Sequence, residues 1–377
     1  MTLGPLPEYP WDAITPYRDR ASAHPGGLLD LSIGSPVDPT PELIRRALDE
    51  AADAPAYPTT QGTEASRAAI AAWFERRRGV PGLRSDEIML TVGSKEFVAL
   101  TAFFLGIGEG DAIVQPEVAY PTYAMGAAFA GARIVASDDP ADWPDDTKLV
   151  WRNSPGNPDG LVLDTGRLRA SVERARELGA VVINDECYAE LGWDDWRARS
   201  IPSILDPAVV GESRAGVLAC SSLSKRSNLA GYRAAYAAGD AALIATLVRA
   251  RKHAGLIVPG PVQHAMAVAL GDDEHADAQR ATYGARRGVL KPAVEAFGLR
   301  VEGSEAGLYL WGTRDEDAWA TMSALADVGI LAGPGPFYGA GGARHVRLSL
   351  TARDADIAAA AERLEGSARR GVNADET

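Results

Sequence analysis

The stretch Val217-Leu-Ala-Cys-Ser221-Ser-Leu-Ser-Lys225-Arg-Ser-Asn-Leu-Ala-Gly231-Tyr-Arg233-Ala-Ala-Tyr-Ala237 sets two short apolar runs around a polar segment. Residues 217–221 and 233–237 read as buried strands, since each is short, apolar and bounded by polar or turn-forming residues. Between them lie Lys225, the hydroxyls of Ser222 and Ser224 at minus three and minus one, Gly231 at plus six and Arg233 at plus eight. A primary amine condenses with an aldehyde to a Schiff base, while hydroxyls and an arginine fork hold a phosphate dianion. A lysine among phosphate ligands points to a covalently held, phosphorylated aldehyde, pyridoxal 5'-phosphate (PLP). The same residues also fit an ordinary strand-to-helix turn with a solvated Lys225-Arg226 pair.

On either side, short apolar runs alternate with Ala-rich helical stretches. Ile88-Met-Leu-Thr-Val92, Asp111-Ala-Ile-Val-Gln115, Arg133-Ile-Val-Ala136, Thr147-Lys-Leu-Val-Trp151 and Val181-Val-Ile-Asn-Asp185 read as strands. Helices are predicted over 94–105 and 123–130, and Asp164 or Thr165 caps another that Gly179 ends. Continuous apolar strands between helices predict an α/β fold with a mainly parallel central sheet covered on both faces. A helix over 241–252 precedes Pro259-Gly-Pro261, read as a hinge, and a helical tract over 263–297 follows. A second, smaller α/β unit contains Gly307-Leu-Tyr-Leu-Trp311 and His345-Val-Arg-Leu-Ser-Leu350. The predicted organisation is an irregular, Pro- and Gly-rich arm (1–40), a large unit (41–260) and a small C-terminal unit (261–377). The polar tail after 365 is expected to fray.

Composition narrows the function classes. The chain has 377 residues, 46% hydrophobic, enough for a large core. With 38 Lys plus Arg against 51 Asp plus Glu, the net charge of -13 repels nucleic acid and anionic membrane surfaces. No apolar run approaches membrane-spanning length, and the first residues carry no apolar signal region. Cys187 and Cys220 are the two cysteines, which fits a reduced compartment and a cytoplasmic location. The five histidines are scattered without a ligand pair at i, i+4, so no metal site is expected.

In a doubly wound sheet, ligands bind beyond the carboxyl ends of the strands, and several polar residues fall there. Asp185 ends an apolar strand, with Tyr188 three residues on. A carboxylate beside a pyridine nitrogen keeps the ring protonated, and a tyrosine hydroxyl suits its phenolic oxygen. Asn157, in Asn153-Ser-Pro-Gly-Asn157-Pro-Asp-Gly160, offers an amide to the same oxygen, although the segment also reads as a plain turn. Gly93-Ser94-Lys95 marks a strand-helix junction whose backbone N–H groups suit a phosphate. Tyr120 is a candidate to stack on a flat ring. Arg347 is a charge on an apolar strand, which must face solvent or be paired, as by a substrate carboxylate.

In their order, Tyr57, Gly93-Ser94, Asn157-Pro158, Asp185-x-x-Tyr188, Ser222-x-Ser-Lys225, Arg233 and Arg347 resemble the fold type I aminotransferases across nearly the whole chain. Tyr9-Pro-Trp-Asp12, Leu31-Ser-Ile-Gly-Ser-Pro-Val-Asp-Pro39, Tyr57-Pro-Thr-Thr-Gln-Gly62, Arg251-Lys-His-Ala-Gly255 and Ser304-Glu-Ala-Gly-Leu-Tyr-Leu-Trp311 are similar to actinobacterial N-succinyldiaminopimelate aminotransferases. The resemblance implies that Lys225 is the Schiff-base lysine and proton carrier. It implies that the Ser94 and Lys95 amides, Ser222 and Arg233 hold the phosphate, that Asp185 pairs the ring nitrogen, and that Asn157 and Tyr188 bond the phenolic oxygen. Arg347 and Gly34 would hold the substrate α-carboxylate. Tyr57 would reach the phosphate of a partner subunit, which implies a homodimer with shared sites and an arm packed on the small unit and the partner. Lys95 would also read a distal carboxylate, with Arg226 as the second candidate, although solvent exposure is predicted for it. The chain departs from the family at Asp159, where a threonine is usual, and in placing Tyr120 four residues after Pro116 rather than two.

The implied reaction is ping-pong transamination between an amino acid and a keto acid, here N-succinyl-LL-2,6-diaminopimelate and 2-oxoglutarate. Aminotransferases acting on aspartate or aromatic amino acids are the nearest alternative. Ser222-Leu-Ser-Lys225 also fits the Ser-x-x-Lys acyl-enzyme motif, but no Lys-Thr-Gly or Ser-Asp-Asn follows it. A dehydrogenase lacks its Gly-x-Gly-x-x-Gly after an early strand, and a PLP-binding regulator lacks a basic DNA-binding unit.

Overall fold

A computed structural model describes residues 10–375. Residues 1–9 of the predicted arm, Tyr9 among them, lie outside the described residues. The first strand, β1 (Leu29–Asp30), is followed by β2 (Ile88–Val92), β3 (Ala112–Gln115), β4 (Arg133–Ala136) and β5 (Thr147–Asn153). Next come β6 (Val181–Asp185), β7 (Val217–Ser222) and β8 (Ala234–Gly239). The C-terminal part adds β9 (Arg300–Glu302), β10 (Tyr309–Thr313), β11 (Ile330–Leu331), β12 (Gly333–Pro334) and β13 (His345–Ser349).

Seven strands form the large sheet, in the order β2-β8-β7-β6-β5-β3-β4. All its pairs are parallel except those of β8, which runs antiparallel to both β2 and β7. Strands β7 and β8 are buried along their whole length, as expected of strands covered on both faces. One face packs against Ile70, Trp73 and Phe74 of the Glu64–Arg78 helix and Leu168 and Val172 of the Thr165–Glu177 helix. The other face packs against Phe97, Tyr123 and Leu247, from the helices Ser94–Phe104, Thr122–Ala130 and Ala241–Ala254. Helix ends follow local chemistry: the Asp164 carboxylate accepts from Arg167 N at 2.8 Å, and Gly79 ends its helix at φ 65°.

A second core forms around the antiparallel sheet β12-β13-β10-β9 and the helices Glu274–Ala296, Ala318–Asp327 and Asp354–Asp375. Strand β1 pairs in parallel with β11, which ties the N-terminal segment to this C-terminal core.

Four details differ from the sequence reading. The tract 263–297 is two helices, Gly260–Gly271 and Glu274–Ala296. Asp272 breaks it by adopting an extended backbone and accepting from His275 N at 3.0 Å, a local bond that competes with helix. The first of these helices buries Ala265, Met266, Ala269 and Leu270 in the core of the large sheet, so the change of core follows Gly271 rather than Pro261. The backbone of the tail remains helical to Asp375 instead of fraying after 365, as a continuation of the helix that starts at Asp354. Arg233 is not the first residue of its strand but a left-handed turn residue (φ 56°) preceding β8. Among the described residues, no helix is long and apolar enough to cross a membrane.

Candidate active site

Parallel pairing brings the carboxyl ends of the central strands to one edge of the sheet. The register sets Asn153 of β5 beside Asp185 of β6, and Asp185 beside Cys220 of β7. A cavity of about 820 Å³ opens at this edge, between the large sheet and the second core. Ser94, Lys95, Tyr120, Asn157, Asp185 and Tyr188 line it, as do Ser222, Lys225, Arg233, Arg347 and Gly34.

Lys225 sits on the short helical turn Leu223–Arg226 that follows β7, and its Nζ donates to the carbonyl of Gly34. Burial lowers the lysine pKa, and the nearby Arg347 and Arg233 push it further down. The amine therefore deprotonates more readily than a solvated lysine, as a nucleophile or proton carrier requires.

Asp185 is buried at the end of β6. Its Oδ2 accepts from the Tyr123 hydroxyl at 3.2 Å and its Oδ1 from Cys187 N at 3.1 Å. Tyr123 is itself held by stacking on Trp151. Burial raises the Asp185 pKa, and no cation pairs with it among the described residues. The next residue, Glu186, anchors the strand end. It accepts from Arg78 Nη2 at 3.0 Å, Ser203 Oγ at 3.0 Å and Ile204 N at 2.8 Å.

Arg347 enters from β13 of the second core and is buried. Its Nη1 donates to Asn157 Oδ1 at 2.8 Å and its Nη2 to Ser32 O at 2.8 Å, while Nε has no partner among the described residues. The guanidinium carbon lies 3.9 Å from the Tyr309 ring centroid and 4.9 Å from that of Tyr338. Such a cation is pre-positioned by its neighbours yet keeps donor capacity. The Tyr188 and Tyr309 hydroxyls lie 3.2 Å apart. Burial alone would push Tyr309 up, but Arg347 and Lys225 outweigh it and leave this hydroxyl more acidic than an ordinary tyrosine.

The helix Ser94–Phe104 opens onto the cavity after Gly93, which has φ 79°. That φ favours glycine, and a Cβ there would also displace the Arg233 guanidinium. The result is a cradle of helix N–H groups, the Ser94 and Ser222 hydroxyls and Arg233, suited to a phosphate.

Tyr57 does not line the cavity of its own chain; it is 99% exposed. Tyr120 lines the cavity and meets the edge of Tyr123, with ring centroids 5.9 Å apart. Arg226 is not solvated as predicted: it is buried, pairs with Glu190 and donates to Ala269 O at 3.2 Å. Both acceptors come from segments remote in sequence, which local reading could not supply. It does not line the cavity and is no candidate to read a substrate carboxylate. The sequence reading missed Tyr309, Tyr123 and Tyr338, which lie in apolar stretches or loops of the sequence; only Tyr309, a phenol on a buried strand, carried a usable signal. Among the described residues, no group of three His, Cys, Asp or Glu could hold a metal.

Residues 27–364 match the family described as aminotransferase class I and II. The chain is 52% identical to the 4-dedimethylamino-4-oxo-anhydrotetracycline transaminase of Streptomyces rimosus, over 95% of this chain and 99% of that protein. An aminotransferase of Neisseria meningitidis superposes with a TM-score of 0.87 at 30% identity, covering 97% of this chain and 98% of the other. The N-succinyldiaminopimelate aminotransferase of Mycobacterium tuberculosis superposes with a TM-score of 0.82 at 27% identity, covering 94% and 98%.

Proposed function

Since the chain belongs to the class I and II aminotransferases, we propose that its cavity carries out PLP-dependent transamination with N-succinyl-LL-2,6-diaminopimelate and 2-oxoglutarate as its substrate pair. The observation that carries the reaction type is the half-buried Lys225 amine sharing one cavity with Asp185, Asn157, Arg233 and Arg347.

The residues fit the cofactor. Asp185 is a buried carboxylate without a cation, the complement of a protonated ring nitrogen. At Gly93 a side chain would displace the Arg233 guanidinium from the phosphate cradle. Bound PLP supplies the electron sink that makes an α-proton of an amino acid removable. Ser94, the Lys95 N–H, Ser222 and Arg233 hold the phosphate. Asn157 and Tyr188 bond the ring's phenolic oxygen, and Asp185 holds the ring N–H. Arg347, with the Gly34 segment, holds the substrate α-carboxylate. Lys225 takes the proton from the α-carbon and returns it at the cofactor C4′, which needs the neutral amine that burial favours. Tyr57 serves the phosphate of a second subunit in a homodimer, which accounts for its full exposure in the single chain.

The substrate pair is supported by the likeness to the N-succinyldiaminopimelate aminotransferase and by a cavity roomy enough for a long acyl substrate alongside the cofactor. Lys95 on the wall is a cation able to meet a distal carboxylate. The 52% identity to a transaminase acting on a tetracycline intermediate favours a second reading, a polycyclic ketone as amino acceptor. Single-turnover spectra decide between them. Enzyme aminated by glutamate should return to its starting spectrum with N-succinyl-2-amino-6-oxopimelate and not with a polycyclic ketone. The reverse pattern would overturn the assignment.

A further inference from the structure

We infer that Arg18 reads the distal carboxylate of a dicarboxylic substrate and that Asp30 positions it for that task; this rests on the reading of the cavity as a transamination site. Trp11, Ile14 and Arg18 all line the cavity. Spacings of three and four residues along the Pro10–Ile14 and Thr15–Ser22 helical turns give one face that runs from apolar to cationic. A methylene chain fits the first part of such a face and an anion its end. The segment is anchored from behind, since Trp11 meets the edge of Phe337 and Tyr17 stacks on Trp319.

The charge network makes Arg18 more than a surface cation. Its Nη1 donates to Asp30 Oδ2 at 3.0 Å, with no other side-chain acceptor for it among the described residues, so most of the guanidinium fork remains available. Asp30 is fixed in turn: its Oδ1 accepts from Ser32 N at 3.0 Å and from Ser32 Oγ at 2.5 Å. The carbonyl of the same Ser32 accepts from Arg347 Nη2 at 2.8 Å. One short segment thereby sets the two arginines relative to each other, Arg347 for the α-carboxylate and Arg18 for the far one. Lys95 lacks such a tether. It is exposed on the Ser94–Phe104 helix and has no ion-pair partner among the described residues.

The test is equilibrium binding of unreactive acids to the PLP-loaded enzyme by calorimetry. Straight-chain dicarboxylates from glutarate to azelate are compared with monocarboxylates of equal length, in the wild type, Arg18→Ala, Arg18→Lys and Lys95→Ala. Arg18→Ala should weaken the best dicarboxylate by about tenfold or more and monocarboxylates by less than about twofold. Arg18→Lys should recover part of the difference. Equal weakening of both acids, no weakening, or a selective loss only in Lys95→Ala would each overturn the inference. Monocarboxylate binding reports that the variant is folded. A wild type with the Arg18-dependent preference but no turnover of N-succinyldiaminopimelate would sink the substrate assignment and leave this inference standing.

Discussion

At the scale of single residues, Lys225 has its chemistry set by burial and by two arginines. Lys225→Ala should lower the half-reaction rate with glutamate by roughly 10⁴-fold, because the proton carrier is removed while Asp185 and Arg347 stay in place. Stopped-flow spectra measure this directly, and a variant within tenfold of wild type would refute the role. Asp159 is a second informative position. Burial pushes its carboxyl up to about 6, with Asp138 and Glu305 adding like-charge repulsion. Its folded pKa lies above its unfolded one, so its contribution to stability is present at low pH and is lost as the pH rises through about 6. Asp159→Asn should therefore stabilise the protein by on the order of 1 kcal/mol near pH 8, roughly 2 °C in Tm, and by almost nothing below about pH 4. Thermal melts across that range check the sign. Lys225, Asp185 and Asn157 were legible in the sequence because each lies in a local run that carries its own turn and strand signals. Arg18 was not, since its role depends on where the second core docks.

At the scale of elements, the turn bearing Lys225 is held from behind by charges drawn from distant segments. Arg226 on that turn pairs with Glu190, and Glu190 also accepts from Arg77 Nε at 2.9 Å on the Glu64–Arg78 helix. Both partners of the inner pair are nearly inaccessible, so removing the carboxylate leaves a buried guanidinium uncompensated. Glu190→Leu should cost about 3 kcal/mol in denaturant unfolding, well beyond a surface pair. A loss below about 1 kcal/mol would show that the turn does not depend on this pair. The strands were readable as apolar runs of the right length, and the helix caps as Asp or Thr before an apolar periodicity. The break at Asp272 was not, because it rests on one side chain choosing its own neighbour's backbone over the helix.

At the scale of the whole molecule, the alternation of strands and helices was enough to foresee a mainly parallel sheet. The reassignment of the Gly260–Gly271 helix to the large core was not foreseeable, since a Pro-Gly-Pro hinge reads the same whichever core receives the next helix. The proposed dimer has its own test. If Tyr57 completes the partner's site, mixing Lys225→Ala with Tyr57→Ala subunits places both defects in one site of each hybrid and leaves the other intact. At limiting PLP, such mixtures should recover activity that neither parent shows, and a strictly additive mixture would mean that each site is built from a single chain.

The pairing of β1 with β11 joins Leu29 to Ile330 and Asp30 to Leu331. Residues near the start of the chain thus wait for residues near its end before they find their place. During synthesis the large sheet can form while the ribosome is still at work, but Gly34 and Arg18 find their place at the cavity only once β11 has emerged. An unfinished chain therefore carries Lys225 without Arg347 and the walls whose burial tunes its amine. Completion of the polypeptide, and not of the sheet that bears Lys225, is the moment at which the site comes into being.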